Sequence, residues 1–146
     1  MKDETMASQE TDLLGREWTA LHRDCELQER SALWIKLGAV ALSVVALALA
    51  FDTVLTLLLL AVLWLQEAIV RTGQSRLNAR LLNIETLLRA PLPGAGQACQ
   101  LYSEWAASRP GHLGLIGEYL GNALRPTVAF PYAVLLVLLW TVSATA

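Results

Sequence analysis

Two histidines and two cysteines are the side chains of this sequence best suited to hold a metal ion. His22 and Cys25 lie three residues apart and share a face if the segment is helical; with Cys99 and His112 they would make a four-ligand zinc set. A Pro-Gly break separates Cys99 from His112, and Cys25 also fits an apolar helix seam described below. We therefore predict no metal site, and we expect both cysteines to be small reduced side chains packed in helices.

Motifs for nucleophilic, metal-assisted or phosphate chemistry do not occur in the sequence. There is no Gly-x-Ser-x-Gly elbow, no phosphate-binding Gly-rich loop, no His-Glu-x-x-His and no paired Cys-x-x-Cys. Glu104, Arg109, His112 and Glu118 could form a polar cluster, but such charges are more typical of a solvated surface. We predict a protein that is not an enzyme and needs no cofactor.

The apolar stretch from Leu33 to Val70 carries only three charged residues, Lys36, Asp52 and Glu67. It is too long for one helix of a soluble core and roughly long enough for two short membrane passes. We interpret it as a helical hairpin in a bilayer that turns at residues 51–53. At this turn Asp52 is suited to cap the second helix through its side-chain oxygen.

Gln66 and Glu67 lie at membrane depth in this interpretation. The apolar run before them, Val54 to Leu65, rises only about 18 Å as a helix, whereas the hydrocarbon core of a bilayer is about 30 Å thick. The two side chains must therefore point into protein, or the bilayer thins, or the hairpin is only partly embedded. With Asp52 they are our candidates for lining or gating a pore; the alternative is that Asp52 reaches the far interface and Glu67 snorkels.

Composition favours a membrane protein. Of the 146 residues, 55% are hydrophobic and 16% are charged, and the mean hydropathy is +0.45, whereas about a quarter of the residues of soluble domains are charged. The formal net charge of −2 gives no reason to expect a nucleic-acid partner. We predict an all-α integral membrane protein, with room for one compact unit rather than two independent domains.

Two long helices are predicted around the hairpin turn. Residues 1–12 are polar, and we expect them to be frayed. The first helix should then run from about Thr11 to Ala50 and the second from Thr53 to Ala90, because no proline interrupts either segment. In the first membrane pass Ala39 and Ser43, and then Ala46 and Ala50, recur four residues apart. This spacing lets helices approach closely in lipid, although alanine is also simply common in membranes.

Outside the membrane both helices carry the alternating four- and three-residue spacing of a coiled-coil seam. The seam positions are Leu14, Trp18, Leu21, Cys25, Gln28 and Ala32 in the first helix, and Val70, Gln74, Leu77, Leu81, Ile84 and Leu88 in the second. A chain that folds back at the hairpin turn places Gln28 opposite Gln74 as one polar layer and brings Asp24 near Arg80. We predict an antiparallel coiled coil, formed either within one chain or between subunits.

Shorter elements follow the second long helix. The segment from Pro91 to Gly96 predicts a linker, and two amphipathic helices are expected over 97–108 and 113–124. Their exposed aromatic side chains and glycines are candidates for docking a partner; these are Tyr102, Trp105, Gly117, Tyr119 and Gly121. The last apolar segment, Val128 to Val142, is predicted to be a third membrane pass.

The basic residues predict the orientation. All eleven Lys and Arg residues lie in residues 1–36 or 71–125, and cytoplasmic loops of membrane proteins carry the excess of such residues. We expect the bacterial inner membrane, with the N-terminus in the cytoplasm and the C-terminus outside. The predicted segments are a cytosolic helix (1–32), a transmembrane hairpin (33–70), a cytosolic coiled-coil helix (71–90), cytosolic or interfacial helices (91–125) and a third pass (126–146).

The segment directly after the second pass, WLQEAIVRTGQSRLNARLLNIE from Trp64 to Glu85, together with the hairpin before it, resembles small bacterial membrane proteins of the SLATT type. The resemblance covers about half of the chain. It implies two transmembrane helices combined with cytosolic helices, and a role as a pore-forming effector in defence and conflict systems. The third apolar segment and the glycine-rich stretch before it depart from that two-pass plan.

Three functions follow from these observations. The first is a homo-oligomeric membrane protein that forms or gates a pore, and it is the one that we expect from the sequence. The second is a non-catalytic scaffold or accessory subunit whose cytosolic helices dock a protein partner. The third, a membrane-bound metal enzyme, requires the zinc set that we argued against above.

Overall fold

The computed structural model describes residues 2–90, 96–108 and 111–145 of the chain. Within these ranges it is all-helical and contains no strand, as the sequence predicts. The helices are α1 (Lys2–Ala48), α2 (Thr53–Arg89), α3 (Leu101–Ser108), α4 (His112–Ala123) and α5 (Pro126–Thr145). The predicted linker around Pro93 lies outside the described residues.

Two helix boundaries differ from the prediction, for one physical reason. We predicted frayed residues at 1–12 and a third helix from Gln97, but α1 begins at Lys2 and α3 at Leu101. Both predictions were wrong. The Glu10 side chain of α1 accepts hydrogen bonds from the backbone N–H groups of Gln97 and Ala98, at 2.7 Å each. These bonds anchor the start of α1 and hold residues 97 and 98 outside the helix.

The turn between α1 and α2 is closed by backbone and side-chain capping. Ala50 adopts a left-handed conformation with φ of +50°, and the N–H of Phe51 donates to the carbonyl of Ala46 at 2.9 Å, which is the pattern of a helix C-terminus. The Asp52 side chain accepts from the N–H of Leu55 at 2.8 Å. The predicted cap on the second helix is therefore confirmed.

Three of the helices, α1, α2 and α5, are long and apolar enough to cross a membrane. The last of them begins with Pro126 at its first position, where the missing N–H costs nothing. These properties support a multi-pass membrane protein.

The chain, for which we predicted one compact unit, divides into two by its internal contacts. Unit 1 contains residues 1–28 and 73–110, and unit 2 contains residues 29–72 and 111–146. The core of unit 1 is formed by Leu14, Leu21, Cys25, Leu81 and Ile84. The core of unit 2 is formed by Ala39, Leu60, Tyr132 and Leu139. Each unit takes part of α1 and part of α2, so neither is an uninterrupted stretch of sequence.

Candidate functional site

A completely buried carboxylate, Glu67, lies in unit 2 among positively charged side chains. The Lys36 ammonium lies 3.1 Å from Glu67 Oε1, and Arg71 Nε lies 3.8 Å from the same oxygen. Arg71 is one turn further along α2, so the sequence spacing alone brings it to this carboxylate. The negative charge that the sequence placed at membrane depth is therefore compensated by two cations of the same unit.

Lys36 also joins this ion pair to α5. Its ammonium donates a hydrogen bond to the carbonyl of Thr127 at 3.0 Å. In a regular helix that carbonyl would accept from the N–H of residue 131, but Pro131 has no N–H to donate. The proline therefore leaves an acceptor at the start of α5, and the lysine uses it.

Further polar contacts join α2 to the junction of α4 and α5. Trp64 Nε1 donates to the carbonyl of Ala123 at 3.0 Å. The Asn122 amide donates to the Thr72 hydroxyl at 2.8 Å, and both side chains are buried. Tyr132 packs beside Trp64, with ring centroids 6.2 Å apart. Together with the ion pair, these contacts make one polar cluster within unit 2, which we call the Glu67 cluster.

The three pore candidates are not brought together. Glu67 is buried, whereas Gln66 is exposed on α2. Asp52 is exposed at the N-terminal cap of α2, and the apolar segment of α2 separates it from the other two. Nothing in the sequence separates Gln66 from its neighbour Glu67 except their position around the helix, which puts only one of them toward the core.

The small-residue face of α1 is covered within unit 2. Ala39, Ser43 and Ala46 are all buried, and Ala39 packs in one cluster with Leu60 and Tyr132. The Ser43 hydroxyl donates to the carbonyl of Ala39 at 2.8 Å, so it needs no partner from another chain. The close helix packing that these small residues allow therefore takes place inside unit 2.

The apolar seam residues of unit 1 belong to a single cluster. Leu14, Leu21, Cys25, Leu81 and Ile84 are its buried members, and Trp18, Leu77 and Leu88 pack against them. The two glutamines behave differently from each other. Gln74 is buried, whereas Gln28 is half-buried. Gln28 lies beside Gly73, and a Cβ added at Gly73 would lie 3.7 Å from Gln28 Oε1. That oxygen is buried and accepts no hydrogen bond from the described residues.

Arg80 is a buried and multiply bonded side chain of unit 1, and it is only 2% exposed. Its guanidinium donates to both carboxylate oxygens of Glu17 at 2.9 and 3.0 Å, to Glu104 at 2.6 Å and to the carbonyl of Gln97 at 2.8 Å. The hydrogen bonds that Arg80 donates to Glu17, and then the charges of Glu17 and Glu104, raise the pKa of Arg80 above its ordinary value against the effect of burial. The predicted register brings Asp24 near Arg80, but the ion pairs of Arg80 are with Glu17 and Glu104.

Glu10 and Glu17 bind the backbone that precedes α3. Glu10 accepts from Gln97 and Ala98, and Glu17 accepts from the N–H of Cys99 at 2.7 Å. The hydrogen bond from Ala98 is the main reason that the pKa of Glu10 lies below its ordinary value of 4.5. Sequence reasoning missed this site, although the seven-residue spacing of Glu10 and Glu17 places them on one side of α1.

The docking candidates fall in both units. In unit 1, Tyr102 is 81% exposed, and the Arg76 guanidinium lies over the Trp105 ring at 5.4 Å from its centroid. A cavity of about 290 Å³ opens beside them, lined by Gln28, Gly73, Arg76, Leu77, Leu101, Tyr102 and Trp105. In unit 2, Gly117 and Gly121 are exposed on α4, and Tyr119 is half-buried.

Among the residues considered for zinc, the structure describes the side chains of His22, Cys25 and Cys99, and it does not group them at a metal site. His22 stacks on Trp18 with ring centroids 4.9 Å apart, and the buried Cys25 donates to the side-chain oxygen of Asn78 at 3.4 Å. Cys99 is exposed, and the His112 side chain lies outside what the structure describes. Among the described residues no three His, Cys, Asp or Glu side chains are grouped to hold a metal ion.

Comparison of the chain with protein-family models, with curated proteins and with solved structures gave no significant match. The resemblance to SLATT-type proteins stays a prediction.

Proposed function

We propose that this protein is a non-catalytic membrane scaffold or accessory subunit, and that unit 1 docks a protein partner. The cavity beside Tyr102 carries this proposal. It combines a largely exposed tyrosine, a tryptophan under a guanidinium and leucine walls. Aromatic and arginine side chains around a pocket are the typical anchors of protein interfaces.

The proposal includes a specific architecture. The spans of α1 and α2 form a transmembrane hairpin, α5 is a third pass, and the seams of unit 1 pair as an antiparallel coiled coil. Polar contacts between α1 and α2 support it, since each lies within one residue of the predicted register; these are Trp18 with Glu85, Cys25 with Asn78 and Lys36 with Glu67. The distribution of basic residues favours an inner bacterial membrane with the N-terminus in the cytoplasm.

The Glu67 cluster favours a scaffold over a pore. A carboxylate that lines an aqueous pore would face water, whereas Glu67 faces Lys36 and Arg71 inside its own unit. Apart from Gln66, the large side chains that remain exposed along the spans are apolar. They include Val40 and Val44 of α1, Leu55, Leu58 and Val62 of α2, and Phe130, Val134 and Val137 of α5. Such faces suit lipid contact and offer no polar wall for an ion path.

A homo-oligomeric pore remains the second candidate because of Gln66. This amide is exposed between the exposed apolar side chains of Leu65 and Ile69. A polar side chain at membrane depth is costly without a partner, and a second copy of the chain would supply one. Gln66 therefore marks where subunits would meet if the protein assembles into a ring.

Site-specific photo-crosslinking in intact membranes tests the docking proposal. A benzophenone amino acid at Tyr102 is expected to give an adduct with one other protein, and the same probe at Thr19, exposed in the same unit, is expected to give none. Gly73→Leu should abolish the adduct, because it fills the cavity from a helix position with room for a Cβ. An adduct of twice the 15.9 kDa chain mass would favour the homo-oligomer. No adduct from Tyr102 would contradict the proposal.

A further inference from the structure

The short helix α4 presents an apolar stripe to the outside of unit 2. Leu113, Ile116, Leu120 and Leu124 recur at helical spacing, and they are 85%, 54%, 58% and 68% exposed. Gly117 and Gly121 lie on the same side, where an added Cβ would meet no protein atom within 4 Å. No charged residue interrupts the stripe.

The polar side of α4 faces the protein instead. Asn122 is buried and donates to Thr72, and Glu118 and Tyr119 are half-buried. A helix on the surface of a soluble protein shows the opposite arrangement, with its apolar face toward the core and its polar face toward water. The inverted polarity of α4 indicates that the medium outside it is apolar.

The position of α4 identifies that medium. Its C-terminal end is fixed to α2 by the bonds of Trp64 to Ala123 and of Asn122 to Thr72. The span of α5 begins at Pro126, directly after the exposed Arg125. The apolar stripe is thus continuous in the chain with the exposed apolar face of α5, which starts at Phe130. A helix of 12 residues rises about 18 Å, too little to cross a bilayer.

We infer that α4 lies in the headgroup–acyl boundary of the phospholipid leaflet at the Glu67 end of the spans. The leucine and isoleucine stripe enters the acyl region, and the two glycines leave room for acyl chains beside it. Arg125, immediately after the stripe, meets the phosphate groups of the same leaflet. Amphipathic helices of this kind bind membranes through buried apolar area together with attraction between cations and lipid headgroups.

Collision accessibility of spin labels in phospholipid vesicles tests this inference. Single cysteines replace Leu113, Ile116, Leu120 or Leu124 in a Cys25→Ala/Cys99→Ser background, and circular dichroism confirms that each variant keeps its helix content. The four labels are expected to collide severalfold more with oxygen, which concentrates in lipid, than with a water-soluble nickel chelate. A label at Leu58, exposed on the α2 span, is the lipid reference, and one at Thr19 is the water reference.

Comparing labels on different sides of α4 shows whether lipid, water or a second copy of the chain covers the stripe. A label at the half-buried Tyr119 should collide little with either reagent, which gives accessibility a helical period. Nickel collisions at the stripe as high as at Thr19 would overturn the inference, because α4 would then face water. Low collisions with both reagents at the stripe, together with dipolar broadening between labels, would also overturn it and assign the stripe to contact with a second copy of the chain.

Discussion

The two units of the molecule differ most in the side chains that they expose. Unit 1 packs a leucine-rich cluster, and its exposed large apolar side chains among the described residues are few, namely Met6, Leu13, Leu27, Leu82 and Tyr102. Unit 2 buries alanines and polar groups such as Ser43, Thr56, Thr72 and Asn122, and it exposes valines and leucines along its spans. The first arrangement is driven by removal of apolar surface from water. The second requires a medium that is itself apolar, where small residues and hydrogen bonds hold helices together.

Each unit nevertheless contains one buried charge that is compensated from both sides. In unit 1 the Arg80 guanidinium lies between two carboxylates, and in unit 2 the Glu67 carboxylate lies between two cations. The charges differ in what they hold. Arg80 fixes α3 and the backbone before it, whereas Lys36 and Glu67 join α1, α2 and α5. Removing one partner in each unit therefore compares the two kinds of interior directly.

The largest effect is expected from Arg80→Met. The change leaves the largely buried Glu17 carboxylate without its cation and removes four hydrogen bonds. The free energy of unfolding should fall by about 4 kcal/mol, and amide hydrogen exchange at residues 97–101 should accelerate first. Arg16→Met is the matched control, because its ion pair with Asp12 is exposed and should be worth less than about 0.5 kcal/mol. Equal losses in the two variants would refute a special role for Arg80.

The next effect is expected from Lys36→Met in unit 2. It leaves the buried Glu67 with one cation, Arg71, at 3.8 Å, so the free energy of unfolding in detergent should fall by about 3 kcal/mol. The double variant Lys36→Met/Glu67→Gln should recover most of that loss, because no uncompensated carboxylate remains. A double variant that is as unstable as the sum of the single ones would show that the two side chains do not interact.

A smaller effect on the free energy of unfolding is expected in unit 1, and it depends on pH. Glu10→Gln should lower the free energy of unfolding by about 1 kcal/mol at neutral pH, because an amide oxygen accepts the N–H of Ala98 more weakly than a carboxylate does. The folded pKa of Glu10 lies below its unfolded value of 4.5. Its contribution is therefore complete above about pH 4.5 and is lost as the pH falls through the folded pKa. Unfolding curves of both proteins at neutral and acidic pH should converge in acid; a pH-independent difference would contradict this account.

The smallest effect concerns the turn between α1 and α2. Ala50 has φ of +50°, a conformation that costs a residue with a Cβ about 1 kcal/mol. Glycine adopts it freely but gains entropy in the unfolded chain, so Ala50→Gly should stabilise the protein by about 0.5 kcal/mol. Thermal unfolding in detergent measures this, with Ala41→Gly inside α1 as a control that should destabilise. Stabilisation by both changes, or by neither, would contradict the assignment of strain to position 50.

Sequence periodicity predicted the helices well because each apolar pattern is a property of one segment. The two long helices, the last span and the cap at Asp52 all follow from local rules. The contacts that join distant segments did not follow. Glu10 and Glu17 accept hydrogen bonds from N–H groups more than eighty residues away in the chain. The local sequence around an acidic residue on a helix does not indicate which distant N–H group it will bind.

The same limit applies inside unit 2. Pro131 was recognised as a residue for the first turns or a kink of a helix, but the carbonyl that it leaves for Lys36 depends on how α1 and α5 pack. Likewise the spacing of Ala39 and Ser43 predicts close helix approach without saying which helix approaches. Here it is covered by residues of α2 and α5, so the spacing gives no support to assembly between chains.

Ion conductance of the purified protein in a planar bilayer tests most directly whether the charge at membrane depth is structural or lines a pore. With protein shown to be folded and inserted, we predict no channel steps over a range of voltage and pH, because Glu67 is compensated inside its own unit and the large exposed side chains of the spans, apart from Gln66, are apolar. Discrete channel steps from the wild type, altered in Glu67→Ala, would contradict the scaffold and establish an oligomeric pore with Glu67 near its wall.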